Sequence, residues 1–270
     1  MIRAAVLGSP ISHSLSPVIH SAAYKFLDIE AQYSHFDVTS ELLPEFLSTK
    51  LSENWRGFSL TMPLKETVLG LLASVDAAAS RIASANTVLN VHGKWHGSST
   101  DLTGFIRLFE KYGFERVAII GGGGTARAAA GALADKVSGI HAYLRSPNRI
   151  DALQRAAGKT VVTARSFDLN LGSQLTGYDL IISTAPAGAV TLDHLVELSP
   201  QGILCEALYH PWPTPLASRW LEASLPLIDG IDLLVEQALD QIALFTERDF
   251  SFDQLRPHLL SGARAEQSTR

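Results

Sequence analysis

Near the middle of the chain, four consecutive glycines, Gly121, Gly122, Gly123 and Gly124, follow the apolar stretch 116–120 and lead into Thr125 and an alanine-rich segment. Four glycines would weaken either a strand or a helix from within. Between the two they permit a tight turn and let backbone approach a ligand closely, and the run fits G-x-G-x-x-A. The helix that follows would present unpaired N–H groups and a positive dipole end to a pyrophosphate. A glycine turn without a ligand is the plainer alternative. The strand before the run and the helix after it favour the first βα turn of a dinucleotide-binding domain.

The second strand of such a unit, 140–144, runs into Arg145, Ser146, Pro147, Asn148 and Arg149, and no acid lies between Asp135 and Asp151. An Asp or Glu near this point would bind the ribose of NAD. Two guanidiniums and a hydroxyl suit a 2′-phosphate instead, because arginine engages phosphate bidentately. The pattern therefore favours NADP over NAD, with two solvated surface arginines as the plain alternative.

Strand-type runs at 4–7, 32–37, 57–61, 87–91, 116–120, 140–144, 180–183 and 202–205 are interspersed with helix-spaced segments such as 17–27, 63–72 and 126–133. Strands separated by helices predict βαβ units and parallel sheets. A length of 270 residues allows two domains. The expected fold is α/β, with an N-terminal substrate domain of mostly parallel sheet, a Rossmann-type dinucleotide-binding domain and a cleft between them. Residues 233–245 read as one long helix that returns to the first domain. The predicted boundaries are then 1–101 completed by 233–270, and 102–232. The polar stretch 262–270 reads as frayed.

Lys and Arg total 22 against 27 Asp and Glu, a net charge of −5, which provides no general attraction to nucleic acid or anionic lipid. One cysteine, Cys205, and no N-x-[ST] sequon fit a reducing compartment. The N-terminal residues lack the long apolar segment of a signal peptide, and no uncharged stretch reaches the ~18 residues of a membrane span. A cytoplasmic protein with a small-molecule partner is expected, with no membrane or nucleic-acid partner and with a homodimer left open.

In the first domain, Ser14 and Ser16 precede Pro17, a good first helical residue, with Ser16 as the expected N-cap. Two hydroxyls at a helix N-terminus would hold a small carboxylate; a bare capping role would explain only Ser16. Lys65 falls in the first turn of the helix expected from Pro63, where a cation opposes the macrodipole. A solvated lysine is the bland reading, and the unfavourable placement favours a functional one. Asp101 ends a hairpin that turns at His92 and Gly93, and it could simply cap the next helix. His92 and His96 are four apart, but Gly93 and Gly97 argue against one helical face, so no metal site is expected.

Taken together, residues 8–17 with His20, 59–65, Ala85-Asn86-Thr87, Thr100-Asp101 with Gly104, 121–128, Tyr209-His210-Pro211 with Thr214-Pro215-Leu216, and 234–238 resemble the shikimate dehydrogenase family. The glycine loop alone is unspecific, whereas this ordered set is highly specific. The resemblance implies NADP-linked reduction of 3-dehydroshikimate to shikimate in aromatic amino-acid biosynthesis. By the resemblance, Ser14 and Ser16 bind the substrate carboxylate, and Thr61, Asn86, Asp101 and Gln237 bind its hydroxyls. Lys65 paired with Asp101 is catalytic, and Tyr209 approaches the substrate. Gly121, Gly122, Gly123, Gly124, Thr125 and Thr184 would hold the cofactor, with Arg145, Ser146 and Arg149 clamping its 2′-phosphate. The chain departs from the family pattern at Ser99, Leu144 and Ser183, each in place of Asn. It also departs at Asp232 in place of Gly, at Leu233 in place of Met, and at Phe245-Thr246-Glu247 in place of Trp-Thr-Gly. The quinate/shikimate branch, with broader substrates or NAD use, is the enzyme alternative. A non-catalytic NADP-binding sensor is the alternative of a different class, against which Lys65 and Asp101 speak.

Overall fold

The computed structural model describes residues 1–269. The chain divides into two compact units, 1–104 with 234–270, and 105–233. The strands of the first unit are β1 (Ile2–Gly8), β2 (Ala31–Asp37), β3 (Gly57–Leu60), β4 (Ser74–Val75), β5 (Thr87–Val91) and β6 (Lys94–Ser98). Those of the second are β7 (Arg116–Ile120), β8 (Gly139–Leu144), β9 (Val161–Ser166), β10 (Leu180–Ser183), β11 (Ile203–Glu206) and β12 (Leu227–Ile228). The helices are α1 (Ser16–Phe26), α2 (Leu43–Ser52), α3 (Leu64–Thr67), α4 (Ala77–Ile82), α5 (Thr100–Phe109), α6 (Gly124–Ala132), α7 (Ile150–Ala157), α8 (Leu171–Gln174), α9 (Pro215–Glu222), α10 (Gly230–Thr246) and α11 (Phe252–Ser268). The chain leaves the first unit within α5 and returns to it within α10.

The first unit's sheet has the order β2-β1-β3-β5-β6-β4. β1 runs parallel to both β2 and β3, and the antiparallel pairs are β3–β5 and β5–β6. The β5–β6 hairpin turns at His92 (φ 50°) and Gly93 (φ 73°), the two left-handed residues that a type I′ turn needs. Leu7, Phe58, Leu60, Val88 and Trp95 from the sheet pack with Leu43 and Leu47 of α2.

The second sheet has the order β12-β11-β10-β7-β8-β9 and is parallel throughout. Its strand order reverses between β7 and β10, the switch point at which doubly wound folds bind ligands beyond the strand carboxyl ends. Ala118, Ile181 and Leu204 on the sheet bury against Leu216 and Trp220 of α9.

Several elements differ from the sequence expectation. Residues 63–72 form only the single α-turn of α3 and then a 3-10 turn, Val68–Leu71, which contains Gly70, a poor helix former. Helix α1 starts at Ser16 itself. Leu15 is the N-cap, and the Ser14 hydroxyl accepts the Ser16 N–H at 3.3 Å. Residues 262–268 are not frayed but lie in α11, which packs on α1 and buries Leu255, Leu259 and Ala263. The returning helix is longer than expected, because Asp229 and Asp232 cap it reciprocally: Asp229 Oδ1 accepts from Ile231 and Asp232 N–H, and Asp232 Oδ2 from Asp229 N–H. Asp232, the departure from the family glycine, is thus part of the cap. Among the described residues no helix is long and apolar enough to cross a membrane.

Candidate active site

In the first unit the candidate residues gather at the carboxyl ends of β1 and β3. The segment after β1 and the segment after β3 are tied by Ser9 N–H to Met62 O at 3.1 Å and Thr61 N–H to Leu7 O at 2.9 Å. Gly8 is required there, since a Cβ on it would lie 2.3 Å from the Thr61 methyl. Ala85 N–H donates to Lys65 O at 2.9 Å, which joins the Lys65 turn to the entrance of β5.

Lys65 Nζ lies 2.5 Å from Asp101 Oδ2, and Asp101 Oδ1 accepts from Asn86 Nδ2 at 2.8 Å. The same amide lies 3.2 Å from Gln237 Oε1, while Asn86 Oδ1 accepts from Thr100 N–H at 2.7 Å. Asn86, Asp101 and Gln237 are buried. Gly104 lets α10 lie against α5, because a Cβ there would stand 3.2 Å from Gln237 N. Ser14 and Ser16 are buried at the start of α1, with the Ser14 hydroxyl accepting the Ser16 N–H.

Beneath Asn86 lies a polar layer that the sequence reading did not find. Gln241 Nε2 donates to Asn86 O at 3.3 Å and to Thr87 Oγ1 at 3.0 Å. Its Oε1 faces His20 Nε2 at 3.3 Å. With the amide so oriented, His20 carries its proton on Nε2. Full burial lowers the imidazole pKa to about 3, so the ring is neutral at physiological pH. The ring stacks on Tyr33 at 3.9 Å, and Tyr33 in turn bonds to the Ser59 hydroxyl. The sequence signal for this layer was the i,i+4 pair Gln237 and Gln241, two amides on the otherwise apolar inner face of one helix.

The remaining candidates belong to the second unit. Gly121 has φ +117°, and a Cβ on it would fall 2.4 Å from Thr184 Oγ1, across the switch point. Thr184 in turn donates from Oγ1 to Ile120 O at 3.1 Å. A Cβ on Gly122 would lie 2.8 Å from the Arg149 Cβ and 3.1 Å from Leu144 Cδ2. Gly123 is the N-cap of α6 and faces open space, with Gly124 and Thr125 forming its first residues. This cradle accommodates a pyrophosphate without a side chain in the way. Arg145, Ser146 and Arg149 are exposed around a 3-10 turn, Pro147–Arg149, after β8. Two guanidiniums at that position fit a 2′-phosphate. Tyr209, half-buried, lies on the segment after β11 and is therefore carried by the unit that holds the glycine loop, not by the one that holds Lys65.

Residues 6–88 match the family described as "Shikimate dehydrogenase substrate binding domain". A shikimate dehydrogenase (NADP(+)) of Staphylococcus aureus is 28% identical over 284 residues, covering 98% of this chain and all of the relative. The crystal structure of a shikimate 5-dehydrogenase from Mycobacterium fortuitum is 33% identical, with a TM-score of 0.77 over 95% of this chain and 97% of that one. The chain belongs to the shikimate dehydrogenase family. Another member of the family, from Thermus thermophilus, has been solved in complex with NADP(H) and shikimate. It is 28% identical, with a TM-score of 0.81 over 98% of this chain and 99% of that one. The part matched to the family's substrate binding domain contains Ser14, Ser16, Thr61, Lys65 and Asn86.

Proposed function

We propose that this chain interconverts 3-dehydroshikimate and shikimate with NADP as cofactor, as a step of aromatic amino-acid biosynthesis. The observation that carries this reading is the Lys65–Asp101 pair at 2.5 Å, with Asn86 and Gln237 bonded in beside it. Unit 1–104 with 234–270 would hold the substrate. Ser14 and Ser16 would receive its carboxylate at the N-terminus of α1, and Thr61, Asn86, Asp101 and Gln237 its hydroxyls. Unit 105–233 would hold the cofactor, with residues 121–125 at the pyrophosphate, Thr184 beside them, and Arg145, Ser146 and Arg149 at the 2′-phosphate.

NADP, when bound, supplies or takes up the hydride. The proton is the task of this chain. Lys65 donates it to the substrate carbonyl oxygen in reduction and receives it in oxidation. Asp101 orients the ammonium through Oδ2, and Asn86 fixes the carboxylate by occupying Oδ1. Asp101 is buried and Lys65 half-buried, which limits the competition of water for these bonds.

A spectrophotometric assay of nicotinamide reduction tests the reading directly, with shikimate and quinate each offered with NADP+ and NAD+. Oxidation of shikimate that depends on NADP+ is expected. Absence of turnover with every combination would overturn it.

A further inference from the structure

Glu206, the last residue of β11, is a buried carboxylate that the proposed chemistry leaves without a task. Its Oε2 accepts from the Thr214 hydroxyl at 2.8 Å, and its Oε1 from Leu208 N–H at 3.3 Å. The Ser183 hydroxyl, its register partner on β10, also donates to it. These three donors come from both ends of the segment 207–214 and from the strand that leads to Thr184. Thr214 Oγ1 in turn accepts from Ala217 N–H and caps α9. The carboxylate therefore fastens the beginning of the segment, its end, and the start of the next helix to the sheet.

The segment so held contains Tyr209 and the cis peptides His210–Pro211 and Trp212–Pro213. On its other side it meets Gly230, where a Cβ would lie 2.6 Å from the Leu208 carbonyl carbon. Leu208 is thus fixed from two directions, by the Glu206 carboxylate and by the bare backbone that opens α10. A cavity of about 30 Å³ beside Glu206, lined also by Pro186, Leu208 and Pro211, leaves room for the segment to shift once the carboxylate lets go. Desolvation raises the Glu206 pKa. Keeping an acid in so unfavourable a position stands against the packing alternative, since an apolar side chain would fill the same space without that cost.

We propose that Glu206 is a positioning residue that holds segment 207–214 in register and thereby aims Tyr209. This rests on the proposed function and on the approach to the substrate that the family resemblance implies for Tyr209. An amide at position 206 presents one acceptor and one NH2 group, so with its oxygen on Leu208 N–H its NH2 faces Thr214 Oγ1, which must turn from donor to acceptor, and the three-donor arrangement that the carboxylate holds is lost.

The test is a double-mutant cycle of Glu206→Gln and Tyr209→Ala in the full chain. KM and kcat for shikimate are read well below the melting temperature, and NADP+ affinity is read by binding without substrate. Glu206→Gln is expected to raise KM for shikimate about tenfold and to change the dissociation constant of NADP+ less than twofold. In the Tyr209→Ala background it is expected to add less than a further twofold. Glu206→Asp, which keeps both acceptors, is expected to recover part of the loss. If Glu206→Gln does not fold, Thr214→Val removes one donor to the carboxylate and is expected to raise KM in the same direction. Unchanged KM in the folded variants, or losses that simply add to those of Tyr209→Ala, would overturn the proposal. A wild-type protein inactive towards shikimate would overturn the functional reading instead, a result distinct from either.

Discussion

At Lys65 and Asp101 the informative measurement is how two losses combine. Lys65→Met keeps the stem without the ammonium, and the expected fall in kcat is about 10²–10⁴-fold, the usual contribution of a positioned acid–base group. Asp101→Asn should fall in the same range and also weaken shikimate binding. If the pair acts as a unit, the double variant should be little worse than the poorer single. Steady-state kinetics on the four proteins, with circular dichroism to verify folding, decides this, and near-wild-type turnover in Lys65→Met would refute the assignment. The two serines at α1 also separate. Since the Ser14 hydroxyl accepts the Ser16 N–H and the Ser16 hydroxyl caps nothing, Ser14→Ala should be the more destabilising, by about 1 kcal/mol. The sequence alone suggested the opposite order. Thermal melts of the two variants settle it.

Elements that announce themselves locally were readable in advance. The turn from β7 to α6 combines an apolar strand, four glycines and an alanine-rich helix within seventeen residues. Gly121→Ala there must adopt φ +117° and displace Thr184, so NADP+ affinity should fall at least tenfold by fluorescence titration. Arg145→Ala should raise KM for NADP+ by about ten- to a hundredfold, the loss of one charged hydrogen-bond partner, and leave that for NAD+ nearly unchanged. Equal effects on both cofactors would show that Arg145 does not touch the 2′-phosphate. Other elements carried no local signal. In β9 only Val162 is buried, so an edge strand reads as polar loop. In α11 three buried residues at spacing four lie among polar ones, with Pro257 inside, yet the Ser251 cap marks its start. Leu259→Ala should cost about 2–5 kcal/mol in denaturant unfolding, as a buried leucine of a packed helix does. In the candidate site, Lys65 stood out through its placement at a helix start, whereas Asn86 and Asp101 took their roles from the family resemblance. His20 was visible only as part of a family block, Gln241 carried no signal beyond its spacing of four from Gln237, and Glu206 carried none. Their significance lies in being polar and buried, and burial is fixed by neighbours distant in sequence.

Across the whole molecule, two buried groups pull stability in opposite directions as pH changes. His20, lowered to about 3, refuses a proton that the unfolded chain takes up below about 6.5, so stability is lost as pH falls through that window. Glu206, raised to about 7, keeps a proton that the unfolded chain releases above about 4.5, so stability is lost as pH rises from 4.5 towards 7. Each slope is at most ~1.4 kcal/mol per pH unit, and between pH 4.5 and 6.5 they oppose. Glu206→Gln should therefore make the melting temperature climb with pH more steeply than in the wild type over that interval. Calorimetric profiles that run parallel would show that Glu206 is not the second group.

The divided first unit has a consequence for the protein as it is made. Gln241 and Phe245 of α10 are built into its interior: Gln241 bonds to Asn86 and Thr87, and the Phe245 ring fills the space where Gly57 has no side chain. Both lie beyond the inserted unit, so about 130 residues must leave the ribosome between the two halves of one core. At ~5–20 residues per second that interval is about 6–26 s. The inserted unit is complete before the unit that surrounds it in sequence, and the first hundred residues spend that time without the helices that complete their core.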